Sequence, residues 1–331
     1  MSSLIDQLPG QRLPIAQVNQ TLAKMWQGEG PDIVAPSEFR ASQMNLILHF
    51  GKSVSPDEAR ETFDTAIRFS QRYPCRIIVL CPEFDPEAAE RPLEGKLYTQ
   101  CFIGDELRDM CCVEALMLAY FTGQNDFLEN QVSVWLESDL PTYYWFVKMS
   151  TKRIQERFLP FLKQCRRVVY DASIEKDDYR QIEWHRRHQL SDLAWARTLP
   201  IRQGVGQYLS ALPPQQLGSG LRQVELAYHP HYFGEARALY EWFTDCAFEC
   251  IRVAGENAEA FEMKMQIVED SSILLLKMNY QDGRYFSWQL EPSDNNAHLS
   301  GNFGHGEIHE GMNVSFLDAE KALAEALFFA D

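Results

Sequence analysis

The residues best suited to bind a metal ion lie in the segment His305-Gly-Glu-Ile-His-Glu310. In an extended chain His305, Glu307 and His309 share one side, because side chains alternate along a strand, and His298 lies nearby. Imidazole and carboxylate groups can together chelate a divalent cation. The surrounding sequence is polar and Gly-rich, which is equally typical of a solvated loop. We therefore keep a metal-dependent or sugar-phosphate-binding enzyme that uses the His305–Glu310 loop as the alternative function, and we assign no metal ligand.

The patterns that mark other catalytic sites are missing from the sequence. No Gly-rich phosphate-binding loop is present, and Gly204-Val-Gly206 lies in a helical context rather than at a strand-to-helix turn. There is no Gly-x-Ser-x-Gly motif, the cysteines lack zinc-site spacing, and no pair of carboxylates can be placed face to face. The sequence therefore predicts no catalytic residue and no cofactor, which favours a binding or regulatory role over an enzyme.

The length and charge limit the partners. The chain has 331 residues, enough for two domains, and a formal net charge of −16. Such an acidic surface repels nucleic acid and anionic membranes. No apolar run reaches the roughly 18 residues of a membrane span, and the N-terminus does not resemble a signal peptide. Because the eight cysteines are scattered and several lie in apolar runs, we expect a cytoplasmic protein in which Cys111 and Cys112 are core thiols, with redox sensing as the alternative role.

The most informative structural pattern surrounds residues 73–81. The apolar run 77–80, bracketed by two prolines, predicts a strand buried on both faces. Upstream, Ser55-Pro-Asp-Glu58 predicts a capping box that starts a helix with one apolar stripe. Residues 44–50 predict an earlier strand. Together these elements predict a right-handed βαβ unit on which the first domain is built.

The sequence as a whole predicts an α/β protein with two domains. Residues 1–40 are expected to form an N-terminal arm with one helix at 15–26, which packs either on its own domain or on a partner. Residues 41–172 alternate strands and helices, which predicts a mixed or mostly parallel sheet with crossover helices. Residues 173–220 predict a helical connector that includes a helix over 177–188. The segment 110–121 stays ambiguous between helix and strand.

Residues 221–331 predict an α+β domain. A strand and a helix are followed by an antiparallel meander, in which Phe261–Ile267 is expected to pair with Ile273–Tyr280. Asp282-Gly283 is a strong hairpin signal before the next strand. Residues 291–313 are polar and Gly-rich and predict a long loop, and 317–329 predict a final helix.

Six stretches in order, spread over residues 41–250, resemble the OpcA family of glucose-6-phosphate dehydrogenase assembly proteins. They are Ala41-Ser-Gln-Met-Asn-Leu46, Tyr73-Pro-Cys-Arg-Ile-Ile-Val-Leu80, Met110-Cys-Cys-Val-Glu114, Asp139-Leu-Pro-Thr-Tyr-Tyr-Trp145, Arg167-Val-Val-Tyr-Asp-Ala-Ser173 and Leu190-Ser-Asp-Leu-Ala-Trp-Ala-Arg-Thr-Leu-Pro-Ile-Arg202. The resemblance implies a non-catalytic partner that binds glucose-6-phosphate dehydrogenase and assembles or activates it in the oxidative pentose phosphate pathway.

The residues proposed for the partner interface are polar and aromatic side chains of the kind that anchor protein complexes. Asp192, Trp195, Arg197 and Arg202 lie in the connector, where both domains could contribute to an interface. Each also has an intramolecular alternative: Trp195 could cap an inter-domain core, and the arginines could pair with local acids. Arg76 is the fifth candidate, and at the start of a strand it could equally be a structural ion-pair partner.

Overall fold

The computed structural model describes residues 3–26, 42–83, 94–102, 111–121, 125–186, 189–257, 261–269, 274–291 and 295–329. The described chain forms two compact units. The first consists of the residues up to Asp192 together with those from Leu323 onward, and the second is Leu193–Ala322. The domain boundaries expected from the sequence stay a prediction.

An eight-stranded sheet forms the centre of the first unit. In order across the sheet, the strands are β1 (Gln11–Pro14), β4 (Glu94–Phe102), β5 (Cys111–Phe121), β3 (Cys75–Glu83), β2 (Met44–Phe50), β6 (Thr142–Val147), β7 (Arg167–Tyr170) and β8 (Leu190–Asp192). The β1–β4 and β4–β5 pairs are antiparallel, and the other five pairs are parallel. The mostly parallel sheet predicted from the sequence is confirmed, and the ambiguous segment 110–121 is a strand.

The predicted βαβ unit is present as β2, helix α3 (Pro56–Arg72) and β3. Ser55 and Glu58 form the expected capping box. All seven residues of β2 are buried, as are all but the last residue of β3. Such two-sided burial explains why these strands are continuous apolar runs rather than alternating ones.

The described part of the first unit contains further helices besides α3 and the end of the C-terminal helix. They are α1 (Leu4–Gln7), α2 (Ile15–Trp26), α4 (Asn125–Trp135) and α5 (Thr151–Arg153), the last followed by a π-helical turn (Ile154–Phe158) and a 3₁₀ turn (Phe161–Gln164). The predicted helix at 15–26 is confirmed, and its Val18 and Leu22 lie in the core of this unit. The helix therefore packs on its own unit.

The second unit is built on a six-stranded sheet. Its elements are α6 (Leu193–Arg197), α7 (Leu199–Leu209), α8 (Pro214–Gly218), β9 (Leu221–Tyr228), α9 (Phe233–Ala254), β10 (Glu262–Ile267), β11 (Leu274–Tyr280), β12 (Tyr285–Glu291), β13 (Asn296–Asn302), β14 (Glu307–Asn313) and the start of α10 (Ala319–Phe328). The strand order is β10-β9-β11-β12-β13-β14. Strands β11 to β14 form an antiparallel meander, of which the sequence predicted the β11–β12 hairpin.

Three local predictions are wrong. Strand β10 pairs in parallel with β9 rather than with β11, because β11 forms its hydrogen bonds with β9 and β12. The predicted loop at 291–313 contains the β13–β14 hairpin, in which β14 is polar and solvent-facing and β13 contributes only two apolar side chains, Ala297 and Leu299, to the core. The predicted helix at 177–188 is reduced to a 3₁₀ turn at Tyr179–Gln181 in its described part, followed by irregular chain. The first half of the expected helical connector is therefore not helical.

A disulfide joins Cys101 of β4 to Cys112 of β5, which are directly opposite in the antiparallel ladder. The expectation that Cys112 is a free core thiol is therefore wrong. The two cysteines are separated by 11 positions, and the register that places them opposite each other is set by the pairing of β4 with β5, which neither strand's sequence reveals by itself. The side chain of Cys111 lies outside the described residues.

No helix within the described ranges is long and apolar enough to cross a membrane.

Candidate functional site

The six parallel strands of the first unit follow a known strand order. Across the sheet they lie in the order β5-β3-β2-β6-β7-β8. If the six strands are renumbered 1 to 6 along the chain, this order is 3-2-1-4-5-6, which is that of dinucleotide-binding α/β folds. In such sheets the ligand binds where the order reverses, outside the carboxyl ends of the two central strands. Here that position is the crevice between the turn after β2 and the turn after β6.

The two turns close this crevice by direct backbone contact. The Gly51 amide donates a hydrogen bond to the Val147 carbonyl oxygen (2.7 Å). A Cβ atom on Gly51 would lie 1.8 Å from the Lys148 carbonyl oxygen, so only glycine fits at this position. The turns are therefore packed against each other where a bound pyrophosphate would need space between them.

The N-terminus of α3, which would face a phosphate in this fold, already carries a carboxylate. The Ser55 amide donates to Glu58 Oε2 (2.9 Å), the Glu58 amide donates to Ser55 Oγ (3.3 Å), and Lys148 Nζ contacts Glu58 Oε1. Although partial burial favours the neutral acid, the bonds from Lys148 and Ser55 hold the pKa of Glu58 below its usual value. An ionised Glu58 neutralises the helix dipole at this end and would repel a phosphate.

Lys148 is held in an unusual backbone conformation on the other side of the crevice. Its φ of 52° is in the left-handed region, which L-residues adopt rarely. Its amide donates to Glu175 Oε1 (2.6 Å). Burial raises the pKa of Glu175 to about 8, and the nearby Asp171 and Asp177 add to the effect. Glu58, Lys148 and Glu175 are thus bonded to one another beside the crevice.

Three of the predicted interface residues have strong intramolecular contacts. The Arg76 side chain is 9% exposed and contacts the Glu114 carboxylate, Glu137 Oε1 (2.7 Å) and the Trp135 carbonyl oxygen (2.9 Å). In the other two, Asp192 Oδ1 accepts from the Ala172 amide (3.0 Å), and Arg197 Nε donates to Glu235 Oε1 (2.6 Å). Their role in an interface stays a prediction.

The remaining two, Trp195 and Arg202, form one half-exposed group in the second unit. The Arg202 guanidinium carbon lies 4.0 Å from the Trp195 ring centroid, a stacked cation–π arrangement. Arg202 Nε donates to Thr198 Oγ1 (3.2 Å), and Nη2 donates to the Trp195 carbonyl oxygen (3.3 Å). The structure therefore holds this arginine and this tryptophan together as a rigid pair.

The candidate metal-binding segment lies on the β13–β14 hairpin. His309 Nε2 is 3.6 Å from Glu307 Oε2, and both side chains are exposed. Among the described residues, which include all of 305–310, no three His, Cys, Asp or Glu side chains are grouped closely enough to hold a metal ion. The geometry therefore gives no support to the metal-dependent alternative.

The crevice contacts of Glu58, Lys148 and Glu175 were missed at the level of sequence. The capping box identified Glu58 as a helix-starting residue, but Lys148 lies 90 positions further along the chain. Its local sequence contains no glycine or asparagine to indicate a left-handed residue. Only the parallel pairing of β2 with β6 brings these groups together.

These features define the first unit as an α/β domain of dinucleotide-binding topology in which the turns after β2 and β6 are packed against each other. Residues 66–187 match the sequence model of the OpcA glucose-6-phosphate dehydrogenase assembly family, which is described as the "Glucose-6-phosphate dehydrogenase subunit N-terminal domain". This match agrees with the resemblance to the OpcA family that the motifs of the sequence indicated.

Comparison with curated proteins gave no match. Solved structures with a similar course of the chain include glucose-6-phosphate 1-dehydrogenase from Mycobacterium avium, with 11% identity, a TM-score of 0.49, and coverage of 86% of this chain and 87% of that one. The 3-ketoreductase KijD10 from Actinomadura kijaniata has 9% identity, a TM-score of 0.41, and coverage of 86% and 88%. Aldose-aldose oxidoreductase from Caulobacter crescentus has 8% identity, a TM-score of 0.35, and coverage of 85% and 87%. Likenesses at this level carry no argument about function.

Proposed function

We propose that this chain is a non-catalytic accessory subunit that binds glucose-6-phosphate dehydrogenase and promotes its assembly or activity in the oxidative pentose phosphate pathway. The observation that carries the proposal is the match of residues 66–187 to a domain described as a subunit of that dehydrogenase. In this role the protein would be located with its enzyme in the cytoplasm.

The closed crevice supports the non-catalytic part of the proposal. A dinucleotide-dependent enzyme with this topology needs a turn that admits the pyrophosphate and free amide donors at the next helix. In this chain Gly51 contacts the backbone of Lys148, and Glu58 accepts from the Ser55 amide. A binding protein has no need of that space, so the same scaffold can be stabilised by its own ion pairs.

The Trp195–Arg202 pair is our candidate anchor for the dehydrogenase. Tryptophan and arginine are enriched among residues that dominate the energy of protein interfaces. Because the bonds from Arg202 to Thr198 and to the Trp195 carbonyl hold the stack in place before binding, little side-chain entropy is lost on association. Arg76, Arg197 and Asp192 are better placed as structural supports than as contacts.

The activating mechanism we propose is a population shift. If the subunit binds the active form of the dehydrogenase more tightly than the inactive form, it raises the fraction of active enzyme by the ratio of the two affinities. No chemical step by the subunit is required. By reciprocity, substrate or product that favours the active form will also tighten the binding of the subunit.

The first experiment mixes the purified chain with its cognate dehydrogenase. Complex mass is followed by light scattering, and the rate of NADPH formation is followed by absorbance over a series of glucose 6-phosphate concentrations. A heavier complex together with a higher rate supports the proposal. The absence of a complex and an unchanged rate at micromolar concentrations of both proteins would rule it out.

The second experiment tests the anchor with point variants. We expect Trp195→Ala and Arg202→Ala each to weaken binding by about 30-fold, as for an interface hot spot of about 2 kcal/mol. Arg202→Lys should be intermediate, because lysine keeps the charge but not the planar stack. Arg252→Ala is the matched control, since Arg252 is an exposed arginine that pairs locally with Glu249. Equal binding by all four variants would remove the pair from the interface.

A further inference from the structure

Strand β10 is one edge of the six-stranded sheet of the second unit. It consists of Glu262–Ile267 and pairs in parallel with β9 on its inner side. Just beyond its end, the Val268 amide donates a hydrogen bond to the Tyr228 carbonyl oxygen of β9 (2.9 Å). Because the direction of the amides alternates along a strand, the backbone groups of Met263 and Met265 point away from β9. This edge of the described sheet therefore offers hydrogen-bonding groups to a further strand.

A row of apolar side chains accompanies these backbone groups on the face of the sheet that α9 covers. Phe261, Met263 and Met265 are partly buried and pack against the core of the second unit. Phe248 of α9 packs edge-on against Phe261 (5.4 Å between ring centroids) and is 45% exposed. Ile267, at the end of the strand, is 64% exposed. A free strand edge flanked by accessible apolar side chains is where a strand of another chain can pair.

The opposite face of β10 carries two charges of opposite sign, those of Glu262 and Lys264. Both side chains are more than half exposed, and Lys264 Nζ lies 3.0 Å from Glu262 Oε2. Gln223 of β9 also donates to Glu262 Oε2 (3.2 Å). An exposed ion pair of this kind contributes little to the stability of the folded chain. Both charges therefore remain accessible to a neighbouring strand.

The charges of β10 select one register for an antiparallel pair of two copies. When the outward backbone groups of the two copies face each other, the symmetry axis near the middle of the strand passes beside Met263, Lys264 or Met265. An axis beside Lys264 places this lysine opposite itself, and one beside Met265 places it opposite Gln266. An axis beside Met263 places Glu262 opposite Lys264 of the second copy, twice by symmetry, at positions where cross-strand side chains are closest.

The same register also matches the apolar row with itself. Met263 lies opposite Met263 of the second copy, and Phe261 lies opposite Met265 of the second copy. Phe248, which contacts Phe261, then lies beside the same methionine of the second copy. The pairing therefore joins opposite charges on one face of the strand and apolar side chains on the other.

The other edge of the sheet, β14 (Glu307–Asn313), lacks this self-complementarity. Six of its seven residues are exposed, and it carries two carboxylates, Glu307 and Glu310, without a lysine or an arginine. Two paired copies of this strand would bring like charges together, which is one of the ways in which proteins keep strand edges apart. The two edges of the sheet thus differ in what they can pair with.

We propose that β10 is a dimerisation edge, at which a second copy of this chain pairs in antiparallel fashion about Met263 and joins the two six-stranded sheets into one. Such an interface uses the same patch on both subunits, as two-fold symmetry requires. The association goes beyond the accessory role, and it is measured on the free protein without the dehydrogenase.

The first test is sedimentation velocity of the full chain over a series of micromolar concentrations. We expect the wild-type protein to form a reversible dimer. Glu262→Lys and Lys264→Glu should each weaken it by about tenfold, because symmetry turns two attractive pairs into two repulsive ones. The variant with both substitutions has opposite charges at each pair again and should recover the wild-type affinity. Lys152→Glu, at an exposed local pair with Glu156 in the first unit, is the matched control and should have no effect.

The second test blocks the backbone of the edge. Met263→Pro removes an amide that points away from β9, so the β9–β10 ladder stays intact and the dimer is lost. Met263→Ala removes only the side chain and should weaken the dimer less. Hydrogen exchange of β9 and β11 verifies that both variants are folded. In the wild-type protein, peptides of β10 should exchange more slowly as the concentration rises, and peptides of β14 should not change.

The proposal is overturned if the wild-type chain stays monomeric throughout the series, if the double charge variant dimerises no better than the single ones, or if Met263→Pro leaves the dimer unchanged. Slower exchange of β14 instead of β10 would also overturn it, because the contact would then lie at the other edge of the sheet. Protection of β10 that requires added dehydrogenase would overturn the assignment of a second copy and make that enzyme the occupant.

Discussion

Replacing Arg76 by methionine is expected to destabilise the first unit by about 3–5 kcal/mol, the cost of removing one partner of a buried ion pair. The Arg76 side chain is 9% exposed and that of Glu114 is 1% exposed. Methionine keeps the apolar stem of the side chain in place but leaves the Glu114 carboxylate with no counter-charge from position 76. The Glu137 carboxylate and the Trp135 carbonyl oxygen also lose a donor.

The assay is urea unfolding monitored by hydrogen exchange. Peptides of β3 and β5 report on the unfolding of the first unit, and peptides of β11 and β12 report on that of the second. Separate reporters are needed because two units need not unfold in one transition. With a slope of about 1–3 kcal/mol per M urea, the midpoint of the first unit should fall by roughly 1–5 M, and that of the second should not change.

A second variant separates the unpaired charge from other effects. Arg76→Met combined with Glu114→Gln removes both charges, and we expect it to recover most of the lost stability, since a neutral pair of similar volume has no buried charge to compensate. Arg252→Met, at an exposed local pair, should leave both midpoints unchanged. A midpoint shift below about 0.3 M for Arg76→Met, or no recovery in the double variant, would refute a structural role and return Arg76 to the candidate interface.

Three more predictions concern stability. The pKa of Glu175 is about 8 in the folded protein. Between roughly pH 4.5 and 8 its carboxyl group therefore stays protonated in the folded state and is ionised in the unfolded state. Stability should therefore decrease as pH rises through that window, and Glu175→Gln should flatten the decrease in urea midpoints measured at pH 5, 6.5 and 8. Ser55→Ala removes the cap of α3 and should cost about 1 kcal/mol in the same assay, whereas Ser55→Asp should cost less. Reduction of the Cys101–Cys112 disulfide opens a short loop and should lower the free energy of unfolding by up to about 3 kcal/mol. Peptide mapping by mass spectrometry checks the bond, and the Cys101→Ala/Cys112→Ala variant should show the same loss. An unchanged urea midpoint on reduction would contradict the prediction.

Local signals in the sequence predicted much of the fold correctly. The capping box at Ser55 and Glu58 gave the start of α3, the run 77–80 gave a strand buried on both faces, and Asp282-Gly283 gave the β11–β12 hairpin. Each depends on residues within a few positions of one another, so it is readable without the tertiary structure. The failures at 177–188 and 291–313 occurred in polar segments, where the absence of an apolar pattern leaves helix, strand and loop equally open.

What the sequence by itself determined is most of the succession of elements, the mostly parallel first sheet, the β11–β12 hairpin and the resemblance of residues 66–187 to the OpcA family. What only the tertiary structure decided is which distant residues meet. The pairing of β2 with β6 brings Glu58 to Lys148 and His49 to Tyr144, and the pairing of β4 with β5 joins Cys101 to Cys112. The physical reason is that strand pairing is set by long-range burial of whole faces, whereas a sequence pattern records only the period of one element at a time.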